Sequence, residues 1–460
     1  CVESLSRVHE WRAGDMLVTN HPDHGGSHLP DLTVVMPLME SGGAPFAFLA
    51  ARAHHAEIGG VRPGSMSPRA TRLEDEGAVI APTRIARNGT MDLAALESIL
   101  RNARWPSRRV EDNLADTAAM VAALRRGADG LHRLVTDHGL PALLDAMNSL
   151  RSRSSRAVTR AIEALPDRTP RTVRQTLDDG WPIELRIERN GERLEIDFTG
   201  SGGVHPNPFN APFAVVRSAV MYSLRLLVEA RTPTDDRSLP LNDGLLDPVD
   251  LIVPSGFLNP PADCGAPVAA GNTETSQRVV DAMLLALELS ACHQGTMNNL
   301  VMGARDWSFY ETIAGGHGAV ACGPGVSGMH AHMTNTRITD PEVLESRFPL
   351  RLRRFRYRRG SGGAGAHAGG DGLVREIEFL EPSAVALVSQ RRRNGPDGLH
   401  GGRAGEPGRQ RLLRADGTTH ALEGIFDIDA SRGDRIEIET PGGGGFGAPA
   451  PAFERRADAP

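Results

Sequence analysis

Asn20-His21-Pro22-Asp23-His24-Gly25-Gly26-Ser27-His28-Leu29-Pro30-Asp31 runs straight into the largely apolar segment Leu32 to Leu38, and this stretch sets the architecture of the N-terminal region. The prolines at 22 and 30 and the Gly25-Gly26 pair exclude a regular helix, so the polar groups lie on a loop that feeds a strand. His28 and Asp31 therefore meet by loop folding and not by helical spacing. Downstream, Phe46-Ala-Phe-Leu-Ala-Ala-Arg-Ala-His54-His55 reads as a buried strand whose last residues emerge at its end. Successive strand residues face opposite sides, so at most one of the two histidines can point into a given site. His54 is favoured as the ligand and His55 as its neighbour, although alternation alone permits the reverse.

The block as a whole gathers His21, Asp23, His24, His28 and Asp31, then His54, His55 and Glu57. Imidazole and carboxylate together suit Zn, Mn or Fe rather than Mg alone, because imidazole prefers borderline transition ions and carboxylate supplies charge. The chain has 16 histidines, so some clustering arises by chance. Candidates placed beside glycine turns at two strand ends favour a metal or catalytic site over that explanation. Structural zinc sites usually close with cysteine, and none lies nearby, which points to a catalytic ion.

At 460 residues and a net charge of -6, the chain is long enough for a large core split into roughly two to four subdomains. It is not basic, and with aromatics at 4% it lacks the stacking platforms and phosphate-tracking stripes of a nucleic-acid binder. The cysteines, at 1, 264, 292 and 322, form no C-x-x-C and fit a reducing cytoplasm better than a disulfide framework. No apolar run reaches transmembrane length and no signal peptide is evident, so the expectation is a cytoplasmic protein without a membrane partner. Every basic residue is arginine, and the absence of lysine rules out a Schiff base and a complete Walker A loop. Nucleotide chemistry by the P-loop route must then belong elsewhere.

The expected fold is mixed α/β (α+β), a large multi-layer protein treated as one unit over 1–447. Residues 1–110 form strands around the metal-site region and include the turn-rich stretch 59–68. Residues 111–165 are helical, with breaks expected near Gly127, Gly130 and Gly139-Leu140-Pro141. Residues 170–350 are mixed. There Asn190-Gly191, between two alternating segments, predicts a hairpin, and 211–231 and 274–293 predict helices, the second capped by Asn272 or Thr273. Residues 351–447 are glycine-rich and β, with turn or subunit-contact roles favoured over anion binding. The tail 448–460 is expected to be poorly ordered.

Several strings go beyond generic reading: Gly25-Gly-Ser-His-Leu-Pro-Asp31, Arg52-Ala-His-His-Ala-Glu-Ile-Gly-Gly60, Pro63-Gly-Ser-Met66, Gly271-Asn-Thr-Glu-Thr-Ser-Gln-Arg-Val-Val-Asp281, Gln294-Gly-Thr-Met-Asn-Asn299, Tyr310-Glu-Thr-Ile-Ala-Gly-Gly316, His332-Met-Thr-Asn-Thr-Arg-Ile-Thr-Asp-Pro-Glu342 and Pro441-Gly-Gly-Gly-Gly-Phe-Gly447. With these the chain resembles the hydantoinase B/oxoprolinase family over nearly its whole length. The resemblance implies a hetero-oligomer in which a hydantoinase A-type partner binds ATP and Mg and phosphorylates an amide or ketone oxygen. The B-type chain then carries a divalent transition metal, Zn or Mn, and completes ring opening of a hydantoin, 5-oxoproline or other lactam. Ketone carboxylation is the nearest alternative, and a non-catalytic scaffold is a third.

The resemblance assigns metal binding to His28, Asp31 and His54. Acid/base duty is expected of His55, Glu57 and His24. Separately, the density of side-chain donors and acceptors makes Asn272, Glu274, Asn298, His332 and Arg337 candidate substrate contacts, the last able to hold a carboxylate or phosphate bidentately, with a buried polar network between layers as the equal alternative. The family usually has Asp where Glu57 stands, and Asn-Asp-Pro where Asn20-His21-Pro22 stands. Its members also carry a segment ahead of Cys1 with an E-R-x-D motif, a candidate source of one more metal ligand.

Overall fold

The computed structural model describes residues 1–450 except 41–42, 63, 65, 232–238 and 306, so the expected tail from 451 onward and part of the 59–68 turn lie outside the described residues. The chain divides into two compact units, the first comprising Cys1–Val280 with Val301–Tyr310 and the second Asp281–Leu300 with residues 311–460. Mixed helices and mostly antiparallel sheets make it an α+β protein.

In the first unit, helix α1 (Val2–Val8) leads into strands β1 (Met16–Thr19), β2 (Asp31–Met39), β3 (Pro45–His54), β4 (Thr83–Arg87) and β5 (Thr90–Met91), which form one sheet in the order β3-β2-β1-β4-β5. The run after Asp31 is apolar except for Thr33 because β2 is buried on both faces. On one face Met16, Val18, Leu32, Val34 and Met36 meet Leu96, Leu100, Met120, Val121 and Leu124. These come from α2 (Ala94–Asn102) and α3 (Val110–His138). On the other, Leu17 and Val35 meet Leu5, Trp11 and Phe48. Each aliphatic side chain so buried contributes about 1.5–3 kcal/mol, and a one-residue slip of β2 would exchange the two faces. β3 corrects the expectation of a buried strand. It is the edge strand, half-buried over Phe46 to Leu49 and alternating between exposed and half-buried from Ala50 to His54.

The helical region holds two helices, α3 and α4 (Leu140–Glu163). Only Gly139, at φ +82°, interrupts it. Gly127 and Gly130 do not break α3, since a helical glycine costs only about 1 kcal/mol, less than the packing of the helix on the sheet supplies. A second sheet runs β6 (Arg171–Thr176), β7 (Pro182–Asn190), β8 (Arg193–Asp197), β9 (Val249–Ile252), with β8 and β9 parallel. The predicted hairpin is β7–β8, but Asn190 pairs with Arg193 and the turn residues are Gly191 and Glu192. Gly191 alone takes positive φ (+64°), the requirement of a turn with glycine first.

Helix α5 (Phe213–Arg231) matches its prediction. The helix expected over 274–293 is shorter. A π-turn occupies Gly271–Thr275, α6 covers Ser276–Ala286, and Glu288 at φ +55° stops it, so Asn272 and Thr273 lie inside the π-turn and do not cap. The chain passes between units within β10 (Asn299–Gly303) and β11 (Ser308–Thr312).

The second unit contains α7 (Pro341–Arg347), β12 (Leu350–Arg358), β13 (Gly372–Phe379), β14 (Ser383–Val388), β15 (Arg409–Leu413), β16 (Thr419–Leu422), β17 (Ile425–Ala430) and β18 (Arg435–Glu439). Its main sheet is ordered β12-β13-β18-β15-β16, and β14 pairs with β17. Its glycine loops pack backbone on backbone. A Cβ at Gly443 would lie 1.9 Å from the carbonyl oxygen of His317, and one at Gly442 1.9 Å from that of Ser361. Among the described residues no helix is long and apolar enough to cross a membrane.

Candidate metal centre

Asp31 is the first residue of β2 and His54 the last of β3, and the antiparallel register places them opposite each other. That register follows from the burial of β2, so packing of the core delivers the pair. His54 Nδ1 lies 3.1 Å from Asp31 Oδ1 and His28 Nδ1 lies 3.4 Å from Asp31 Oδ2. The two imidazole rings stack with centroids 5.1 Å apart. Possible ligand atoms of His28, Asp31 and His54 all fall within 4.8 Å of one another, a two-imidazole, one-carboxylate donor set. His28 is buried, while the side chain of His54 is 53% exposed, so the set has one open side.

The loop that presents His28 is held by groups the sequence reading did not single out. Ser27 Oγ donates to Asp31 Oδ2 at 2.8 Å. The buried Asn20 amide donates to the carbonyls of Leu29 and Ala78 and accepts from the Ile80 N–H at 2.7 Å, saturating its side chain. Arg52, opposite Thr33 in the ladder, donates to Thr33 Oγ1 and to the Gly25 carbonyl. Gly26 must be glycine, since a Cβ there would sit 2.2 Å from the Asn20 carbonyl oxygen. Asn20, Gly26, Ser27 and Arg52 all fall within or beside the quoted strings, but nothing in the sequence says which partners they hold.

Burial pushes His28 down to about 4, keeping its imidazole neutral. Burial would raise Asp31, but the hydrogen bond from His54, the neighbouring His28 and the Ser27 hydroxyl hold its carboxyl below the usual carboxylate range. An ionised carboxylate with neutral imidazoles is the protonation state a divalent ion requires.

The expected acid/base residues do not join this set. His55 turns to the opposite side of the strand end, fully buried, where its backbone N–H donates to the Pro30 carbonyl and Nδ1 meets the Asn113 amide at 3.2 Å. The Glu57 carboxylate accepts from the N–H groups of Gly59 and Arg108, the Arg108 guanidinium and Ser107 Oγ, which fills its acceptor capacity in a loop clamp. His24 sits on a short turn, its Nδ1 2.7 Å from Ser4 Oγ and its ring against His21. Strand alternation and hydrogen bonds to residues distant in the chain determine all three placements. His21 and Asp23 of the same loop line a cleft of about 860 Å³, whose other walls include Arg72, Glu74, His205 and Asp263.

The expected substrate contacts are divided between the two units. Asn272 and Glu274 belong to the π-turn of the first unit, whereas Asn298, His332 and Arg337 belong to the second. Asn298, at φ +51°, is occupied at both ends, donating to the Ile313 carbonyl and accepting from Arg392. Arg337 is exposed. His332 is buried beside Asp281.

Comparison with known proteins agrees with this architecture. The model of the family described as hydantoinase B/oxoprolinase matches residues 1–449. 5-oxoprolinase 1 of Arabidopsis thaliana is 41% identical over 461 residues, covering 95% of this chain and 36% of the plant protein, so the chain spans about a third of that relative's length. An ATP-dependent caprolactamase from Pseudomonas jessenii superposes with a TM-score of 0.82 at 22% identity, covering 97% of this chain and 80% of that one. An acetone carboxylase does so with a TM-score of 0.80 at 18% identity, covering 95% and 65%. At those identities the two structures establish the shared fold. With the family model matching residues 1–449 and a relative 41% identical over 95% of the chain, the protein belongs to the hydantoinase B/oxoprolinase family.

Proposed function

We propose that this chain is the metal-carrying B-type component of an ATP-dependent hydrolase that opens a cyclic amide, 5-oxoproline or a related lactam or hydantoin. The observation that carries the reading is the donor set of His28, Asp31 and His54, assembled by strand register with one side open, in a chain 41% identical to a 5-oxoprolinase. An amide carbonyl is a poor electrophile, and phosphorylating its oxygen makes the carbon attackable and supplies a leaving group. Lysine is absent, which suits a division of labour in which a hydantoinase A-type partner binds ATP and Mg and performs that activation.

His28, Asp31 and His54 would hold a divalent ion, Zn or Mn. When bound, that ion supplies a Lewis acid on the open side of the set. Asp31 fixes the orientation of both imidazoles, and Ser27 fixes Asp31 in turn. Asn20 and Arg52 hold the loop in register, which keeps the donors close together before an ion binds. The cleft beside His21 and Asp23 is of a size to admit a small ring compound.

The test is to assay the purified chain together with an A-type partner for ATP-dependent phosphate release, with lactams in one arm and ketones plus bicarbonate in the other. Release with lactams, lost in His28→Ala along with one equivalent of bound metal, is the expected result. Release only with ketone plus bicarbonate would replace this reading with the carboxylase. Full lactam activity in metal-free His28→Ala would remove the metal from the mechanism.

A further inference from the structure

We propose that Asp281, His293 and His332 form a second binding site for a divalent transition metal ion, within the second unit and separate from the N-terminal set. Among the described residues, theirs is the other group whose possible ligand atoms all lie within 4.8 Å of one another. Asp281 comes from α6, His293 from the loop that follows it, and His332 from the loop ahead of α7. His332 Nε2 lies 3.4 Å from Asp281 Oδ1, with both side chains at most 1% exposed. The rings of His293 and His332 are 4.3 Å apart, and that of His317 stands 4.8 Å behind His293.

Internal bonding does not account for this grouping. Arg391 Nη2 already neutralises Asp281 through Oδ2 at 3.0 Å, so the charge of the carboxylate needs no histidine. Oδ1 remains directed at His332 and at the N–H of His293. His293 Nδ1 is shielded from solvent and makes no well-formed hydrogen bond. A buried nitrogen left so is destabilising, and an ion in the set would offset that by ordering the two imidazoles about it.

The surroundings fit a preformed cradle. A Cβ at Gly295 would fall 2.6 Å from Asp281 Oδ2 and 2.8 Å from Arg391 Nε, and Arg391 and Met333 both hold φ +61°. Burial lowers His293 well below the ordinary histidine range, leaving it neutral and able to ligate. Two imidazoles and one carboxylate select Zn, Mn, Fe or Co over Mg or Ca.

The experiment is a Co²⁺ titration of the metal-stripped full chain, followed by visible absorption and bound stoichiometry. Two equivalents are expected for the unaltered chain, one for His28→Ala, and none for His28→Ala combined with His293→Gln and His332→Gln. His28→Ala protein that binds no Co²⁺, or a triple variant that keeps its equivalent, would overturn the site. A single equivalent lost in His293→Gln/His332→Gln but kept in His28→Ala would support this site and sink the N-terminal one. If the triple variant fails to fold, the His28→Ala protein decides alone. Its Co²⁺ complex should show paramagnetically shifted resonances from two histidines, and their absence would count against the assignment.

Discussion

At the scale of single residues, the N-terminal set separates groups that the sequence lists side by side. His28→Ala should lower metal affinity more than 100-fold and abolish lactam-dependent phosphate release. His55→Ala should leave metal content unchanged and lower only the melting temperature, because His55 packs against Asn113 on the other side of the strand. Metal analysis with thermal melts on both variants checks the pair. Ser27→Ala should weaken metal binding by roughly 10- to 100-fold through loss of its bond to Asp31.

The metal-free protein should also lose stability as pH falls from 6.5 to about 4, because the unfolded state takes a proton on His28 that the buried ring refuses. The shift corresponds to an upper limit of about 3 kcal/mol. Urea melts of unaltered and His28→Ala protein across that window should show a difference that vanishes above pH 7. Residue types alone made His28 and Asp31 legible as metal donors. They could not exclude Glu57, whose partners Ser107 and Arg108 are distant in sequence.

Elements decide whether those residues meet. The β2–β3 register brings Asp31 to His54, and the loop before β2 is pinned by Asn20 from the end of β1. Asn20→Ala leaves two carbonyls and one N–H without their buried partner. It should lower stability by about 2–4 kcal/mol and release His28, read as a drop in melting temperature together with loss of metal. In α3 the expectation is reversed. A Cβ at Gly130 would meet nothing within 4 Å, so Gly130→Ala should raise stability by up to about 1 kcal/mol in a denaturant melt, with activity unchanged. The same helix shows why element boundaries were partly illegible. Glycine was read as a break at 127, 130 and 139, but only position 139 adopts positive φ, and only packing tells such a glycine from a tolerated one. Conversely the β7–β8 hairpin was visible from alternation, and only the identity of its turn residues needed the register.

For the molecule as a whole, the chain matches 36% of the length of a 41%-identical relative and has no lysine with which to build a P-loop. The purified chain alone should therefore show neither ATP hydrolysis nor lactam opening, and adding an A-type partner should restore both, measured as phosphate release. Any lactam-dependent ATPase activity of the isolated chain would contradict that division.

What the sequence determined without help were properties carried by residue type and local order. These are the loop-then-strand reading of 20–38, the α+β class, the exclusion of lysine chemistry, and the family strings that pick out His28, Asp31 and His54. Tertiary structure decided what depends on residues far apart in the chain. It set which histidine of the pair faces Asp31, engaged Glu57 in a clamp with Ser107 and Arg108, and collected Asp281, His293 and His332 into one cluster. The physical reason is that donor chemistry belongs to single side chains, whereas their convergence is set by strand register and burial, which are properties of the packed core.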